Sequence, residues 1–434
     1  MTRTCVVALV VCSLAVCQVA GADETPDQVE SVLREADYDV AINFFLRRIE
    51  KNPQGSLNYV HLARRYMKKG REAGDESCYA KAESALREAL RQAPNDETVQ
   101  LELAGVLCTR HRFEDGLQIA EEQLKVSPGK QEALLLKFDA LLELGRYDEA
   151  NQTFRALEAT VNGVAPGLMA RQAHLAELRG RAAEAIELME RATEEVLLPA
   201  GDRITPSVAW YPLRLGHLLM EHGRLDQAAQ HLEFVAKSTP RFFLARAALA
   251  ELRARQERWD EALAEYARTI ELAPDPIFFM AVGDIHMRLG HAEPAAAAYA
   301  RADEILAGED ASPSEIAREL SLFYSERNLK SQKALEFAKI DLELRQDVLG
   351  HDMHAWALYR NGMHVEAAAA SQKALQLGTR SAKFHYHAGM IDAQLGRRES
   401  AIMHLKTALE IDPHFDVLGV VEVAQTLSRL QAGQ

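Results

Sequence analysis

The feature that most constrains this chain is a repeat. A small residue, placed just after a turn and four positions before a large apolar side chain, recurs at Ala41, Ala82, Gly116, Ala150, Ala185, Ala228, Ala262, Ala295, Ala334, Ala367 and Ala401. Successive spacings are 41, 34, 34, 35, 43, 34, 33, 39, 33 and 34 residues. Ten of the eleven are alanine although alanine fills only 69 of 434 positions, so composition alone does not produce the register. A period of this length implies one supersecondary unit per repeat, each too small to bury its apolar side without the next.

The rest of the unit explains what that element is. Five residues before the anchor stands glycine in six repeats (Gly145, Gly180, Gly223, Gly290, Gly362 and Gly396), where a helix ends and the chain needs positive φ. Twelve before it is a second small residue, as at Ala104, Ala173, Gly216, Ala250, Gly283, Ala355 and Gly389. Four after it is a bulky one, including Phe154, Met189, Leu232, Tyr266, Tyr299 and Leu405. Twelve after it, proline closes six repeats at Pro53, Pro94, Pro128, Pro240, Pro274 and Pro413, because proline cannot continue a helix. Two amphipathic helices therefore cross where small residues let their backbones approach, and a large side chain fills the space beside the crossing.

This pattern resembles the tetratricopeptide repeat over nearly all of the chain beyond its first segment, most fully from Trp210 to Pro240 and from Tyr386 to Pro413. The closing block is also similar to the C-terminal end of exported bacterial proteins of that kind, which brings no activity with it. The expected fold is all-α, a right-handed α-solenoid of about eleven helical hairpins with a C-terminal capping helix. The expected segments are 1–22 as a leader, 23–55 as an N-terminal partial repeat, 56–200 as repeats two to five, 201–208 as a connecting loop, 209–413 as repeats six to eleven, and 414–434 as the cap. The second repeat carries an extra stretch, Gly70 to Cys78, between its helices. The connection from Glu194 to Ser207, with Pro199, Gly201 and Pro206, reads as a bend or a surface loop.

Residues 1–22 read as a secretory leader: Arg3, an apolar run from Cys5 to Ala20, and small residues at Ala20-Gly21-Ala22 before Asp23. Export to the periplasm or the extracellular space is the expectation. Val16 before Cys17 disfavours a lipid attachment site, and no later segment is apolar for the 18 residues a membrane span needs. Of five cysteines only Cys78 and Cys108 lie beyond the leader. Their positions, at the start of one second helix and near the end of the next first helix, allow either a disulfide or two buried thiols.

Chemistry is mainly absent. There is no GxGxxG, GxxxxGK[ST], GxSxG or HExxH motif, and the repeats occupy almost the whole chain, so catalysis and a cofactor are not expected. A net charge of −14 argues against a nucleic-acid partner. Seven of fifteen histidines fall in the last fifth, and His351 and His354, three apart, could share a helix face as metal ligands; ordinary solvated or core-edge histidine is the plainer reading. The sequon Asn151-Gln152-Thr153 begins a second helix and matters only in a eukaryotic host.

Stacked hairpins line a concave wall with their first helices. Positions one and four beyond the close-packed small residue, and about three before it, face that wall. They are Arg64, Met67, Asp139, His174, Trp210, His217, Met220, Glu251, Met280, Asp284, Met287, Trp356, Tyr386 and Met390. Methionine and aromatics at such positions suit recognition of a peptide or protein segment, although any one of them can equally be helix packing. The Lys and Asn pair with which some tetratricopeptide proteins grip a terminal carboxylate is missing; the sixth repeat has Leu213 and His217 there. A non-catalytic interaction scaffold outside the cytoplasm is thus the leading expectation. A histidine-based metal carrier or a membrane-tethered assembly factor is the alternative.

Overall fold

The computed structural model describes residues 37–432 except 162, 164, 202 and 309–312, so the expected leader and residues 23–36 of the expected N-terminal partial repeat lie outside the described residues. Every regular element among the described residues is a helix, and the fold is an all-α solenoid. The described residues open with helix α1 (Tyr38–Lys51). Five hairpins follow: α2 (Ser56–Ala73) with α3 (Ser77–Gln92), α4 (Glu97–Thr109) with α5 (Phe113–Val126), α6 (Gln131–Glu143) with α7 (Tyr147–Glu158), α8 (Pro166–Leu178) with α9 (Ala182–Ala200), and α10 (Pro206–Glu221) with α11 (Leu225–Ser238). Five more complete the row: α12 (Phe243–Arg255) with α13 (Trp259–Leu272), α14 (Pro276–Arg288) with α15 (Ala292–Gly308), α16 (Pro313–Glu326) with α17 (Ser331–Leu344), α18 (Val348–Arg360) with α19 (His364–Ala374), and α20 (Ala382–Gln394) with α21 (Arg398–Ile411). The last helix, α22 (Gly419–Gln431), places Val423 and Leu430 against Leu405, Ile411 and Phe415 and so covers the final apolar face. The described residues thus hold ten complete hairpins. Of the expected first repeat, the described residues include α1.

The repeat's local physics is visible at each anchor. All ten anchor alanines are at most 1% exposed, and Gly116 is buried. A Cβ at Gly216 would overlap the Leu232 side chain, one at Gly283 would overlap Tyr299, and one at Gly389 would sit 2.6 Å from Leu405 Cγ. The bulky residue of the second helix therefore occupies the space the missing side chain leaves. The six turn glycines have φ between 68° and 77°. Each of the six prolines follows a residue with φ between −130° and −152°, the extended backbone that the proline ring imposes on its predecessor.

Two details differ from the sequence expectation, and a choice it left open is decided. The extra stretch Gly70 to Cys78 mostly lengthens α2, which runs to Ala73 and ends on Gly74 in the left-handed region. The connection at 194–207 is also largely helical, because α9 continues through Pro199 to Ala200 and leaves only residues 201–205 as the link. Cys78 and Cys108 are two free, buried thiols. Each is committed inside its own hairpin: Cys108 Sγ lies where a Cβ at Gly116 would go, and Cys78 sits beside Asp75 and Lys69. Burial, followed by the Asp75 charge, pushes the Cys78 thiol up to about 11.

The chain divides into two compact units at residues 162/163, between α7 and α8, whereas the 201–208 connector lies within the second of them. In the N-terminal lobe, α1 to α5 share a core built on Phe45, Leu62, Tyr79, Leu86 and Leu107. In the C-terminal lobe the row of hairpins comes back on itself. Thr379 Oγ1 donates to the Leu178 carbonyl at 2.5 Å across 201 residues of sequence, and Gly180 abuts the Gly378 carbonyl. One repeat further on, Gly223 meets Pro413 and the buried Arg255 guanidinium pairs with the buried Asp412. Turns within the early hairpins thus rest on connectors between the late ones.

Candidate partner-binding face

The first helices of the C-terminal lobe carry a connected set of charged side chains, each placed by its position in the repeat. On α8, Glu177 accepts from His174 three residues earlier (3.3 Å) and pairs with Arg214 of α10. Arg214 also stands 3.7 Å from Glu221 on its own helix. On α12, Glu251 pairs with Arg255 at 2.8 Å, and Arg255 donates to the Met220 carbonyl of α10 as well as to Asp412. Farther along, Arg327, just past the end of α16, forms a fork on Asp284 of α14 (2.5 and 3.0 Å), and Tyr299 donates to the same carboxylate at 2.8 Å. Lys383 of α20 pairs with Glu326 at 2.6 Å and lies 3.5 Å from Asp416. Arg360 of α18 donates to the Ser325 carbonyl and faces Glu422 of α22, which accepts from Tyr386.

These groups do not titrate as they would in water. Burial alone would raise the Glu177 carboxyl, but Arg214 and His174 outweigh it and hold it below the ordinary carboxylate range. Glu221 goes the other way, pushed up to about 8 by burial and by the Glu177 charge, with Arg214 only partly compensating. Burial lowers the His217 imidazole to about 4. Lys383 and Arg327 overcome burial at Glu326 and bring it down to about 2.

The fourteen positions read from the sequence separate into four groups. Met67, Met280, Trp356, Tyr386 and Met390 belong to apolar core clusters between hairpins. Trp356 stacks on Tyr359 and on His387, with the Arg360 guanidinium over its ring. His174, Trp210, His217, Met220, Glu251 and Asp284 lie on α8, α10, α12 and α14, with the Met220 side chain fully buried. Met287 is 47% exposed at the end of α14. In the N-terminal lobe, Arg64 is exposed and pairs with Glu102, while Asp139 is buried.

Two buried members of the α10 set have unpartnered polar atoms. Among the described residues, neither Nδ1 nor Nε2 of His217 has a hydrogen-bond partner, and its neighbour Glu251 is 3.9 Å away, beyond hydrogen-bonding reach. Trp210 Nε1 is likewise unpartnered.

The spacing rule missed the cations. Arg255, Arg288, Arg327 and Arg360 stand seven residues before the anchor alanine in four successive repeats, a regularity present in the sequence one position outside the set chosen. It also missed Asp412, Asp416 and Glu422, which reach the wall from the closing segment.

The clustered histidines have other arrangements. His351 and His354 are shifted down by burial, with Lys373 near both and Lys339 near His354, a cationic setting that disfavours a metal ion. His387 pairs with the buried Asp352 at 2.8 Å, and His385 contacts His404. No group of three or more His, Cys, Asp or Glu among the described residues is placed to hold a metal.

Models of the tetratricopeptide repeat match residues 135–196, 213–275, 248–313 and 382–415, in register with the hairpins just described. The chain carries tetratricopeptide repeats over these segments. Solved structures similar to this repeat protein include the APC/C hetero-tetramer Cut9–Hcn1, at 16% identity over 92% of this chain and 95% of that one, with a TM-score of 0.37. Yeast Tom70 is 12% identical over 86% of this chain and 96% of its own, with a TM-score of 0.34. A tetratricopeptide repeat protein from Parabacteroides merdae is 14% identical over 61% of this chain and 98% of its own, with a TM-score of 0.35. No curated protein sequence matches the chain. Tetratricopeptide repeats are protein-interaction modules, and no described helix here is long and apolar enough to cross a membrane.

Proposed function

We propose that the protein is a non-catalytic scaffold that holds protein or peptide segments against the first helices of its C-terminal lobe, and that it works outside the cytoplasm. The observation that carries the binding reading is the α8–α10–α12 surface, where the carboxylates of Glu177, Glu221 and Glu251 share the guanidiniums of Arg214 and Arg255. Such groups are costly to hold half-buried and unmatched in a purely structural surface. The extracellular or periplasmic placement rests on the leader-like residues 1–22. Nucleic acid is a poor partner for a chain of net charge −14.

The test is a pull-down from envelope extract comparing wild type with Glu177→Ala/Glu221→Ala/Lys383→Ala, with thermal melting as the folding control. Loss of specific partners is the expected outcome, and an unchanged partner set refutes this face. Mass measurement of the protein recovered from its host should show a chain beginning at Asp23. A chain still carrying residues 1–22 overturns the export reading.

A further inference from the structure

We propose that Lys339, Lys373, His351 and His354, brought together by α17, α18 and α19, form an oxyanion site that takes a phosphate group. The site is separate from the concave wall and uses a histidine pair for which a binding wall has no need.

His351 and His354 are three residues apart, so they share one side of α18, and the helical period sets Trp356 and Arg360 on the opposite side. Each neighbouring helix brings a lysine. Asn361, just past the end of α18, donates to the Ser331 carbonyl at the start of α17. The two helices therefore run antiparallel, and Lys339 falls alongside His354. The hairpin partner α19 turns back along α18 and carries Lys373 to the level of His351. The approach is felt electrostatically, since the Lys373 charge bears on both rings and that of Lys339 on His354.

All four groups are unmatched. Among the described residues neither lysine forms an ion pair and neither ring a hydrogen bond, although His351 is only 6% exposed. The chain has 64 acidic residues against 50 Lys and Arg, so two adjacent lysines without a carboxylate stand out. The one acid that bears on His351, Asp347, is already committed: it accepts a fork from Arg318 and caps α18 through the Gly350 N–H. In each ring only one unpartnered nitrogen, Nδ1 of His351 and Nε2 of His354, is sealed from solvent, which leaves the other for a ligand. Lys339 and Lys373 are exposed and His354 is half-buried, so an anion reaches the cluster from solvent.

Two ammonium groups repel a metal ion but attract an anion, and each neutral imidazole adds one N–H donor. A phosphate group, with a charge of about −2 and three acceptor oxygens, matches two cations and two further donors. A carboxylate brings one charge and two oxygens, and it leaves part of the cluster unmatched.

Titration calorimetry of the full chain at pH 7 and equal ionic strength tests this, with inorganic phosphate, a phosphoserine tripeptide and acetate as probes. Phosphate should bind about tenfold more tightly than acetate, and Lys339→Gln/Lys373→Gln should weaken phosphate about tenfold. Both lysines are exposed, so this variant keeps the fold and remains informative where a histidine variant does not. Sulfate keeps its charge from pH 6 to pH 8, so its pH profile reports the rings, which face Lys339, Lys373, Asp347 and each other. Sulfate binding should tighten as pH falls over that range, and His351→Gln/His354→Gln should flatten the profile. A tripeptide that binds more tightly than inorganic phosphate makes a phosphorylated partner the source, and the reverse makes it the free anion. Acetate as tight as phosphate, or phosphate binding unchanged by the lysine substitutions, overturns the site. Neither result touches the concave wall, whose pull-down uses other residues.

Discussion

At the scale of single residues, the turn inside each hairpin demands one left-handed residue, and the chain meets that demand unevenly. Glycine supplies it six times in the predicted register, but His111 (φ 60°) and Glu257 (φ 57°) occupy the same position in their repeats. A non-glycine residue there costs about 1–2 kcal/mol, offset in part by the entropy glycine loses on folding. Glu257→Gly should therefore stabilise the protein by about 0.5–1 kcal/mol in urea unfolding. Gly290 and Gly180 share that backbone conformation, yet a Cβ at Gly290 meets nothing within 4 Å, whereas one at Gly180 meets the Gly378 carbonyl. Gly180→Ala should consequently lower the melting temperature more than Gly290→Ala, and equal effects would deny the contact any weight. Glu221 belongs to this scale too. Its folded pKa lies above the ordinary 4.5, so the neutral form favours the folded state, and that advantage is lost as pH rises from 4.5 through about 8. Relative to wild type, Glu221→Gln should gain melting temperature steadily between pH 5 and pH 9. His217 acts in the opposite range: with its folded pKa near 4 against an ordinary 6.5, its protonation opposes folding as pH falls below about 6.5.

At the scale of helices, the governing contact is a small residue on the first helix facing a large one on the second, sixteen positions later. At Gly216 the intruding atoms all belong to the flexible end of Leu232. Gly216→Ala gains helix propensity but overpacks this crossing, with an expected net cost of about 1–2 kcal/mol. Adding Leu232→Val should cost less than the two changes summed, and additivity in a double-mutant cycle would mean that the crossing does not touch there. This is also why so much of the fold was legible from the sequence. Anchor, turn glycine, crossing residue and closing proline each answer a steric demand that one residue type meets best. The wall was less legible. Met280 and Trp356 occupy inward register positions, but a helix face shared with the next hairpin buries them, and spacing does not distinguish a side chain facing a partner from one facing the neighbouring repeat. Arg255 and Arg327 stand one position away from that set, where a long side chain can still reach back to it.

At the scale of the molecule, repeat proteins ordinarily hold only nearest-neighbour contacts and fray from their ends. The C-terminal lobe departs from this, because Leu178, Gly180, Gly223 and Arg255 contact residues between 378 and 413. Asp412→Ala would leave Arg255 with Glu251 as its remaining carboxylate, an expected loss of about 3 kcal/mol. Hydrogen exchange should show α20 and α21 protected nearly as well as α10 and α12, and Asp412→Ala should reduce protection in both regions together. Loss confined to α20–α22 would mean that the lobe behaves as an ordinary one-dimensional stack. The contact from Thr379 to Leu178 has a historical consequence as well. An open row of hairpins tolerates duplication or loss of a member, since each newcomer needs only compatible neighbours. Here every turn that touches a distant connector fixes how many members lie between them, so gene-level shuffling that changed the tally would leave Leu178 and Thr379 out of step. This part of the chain can vary its side chains far more freely than its length.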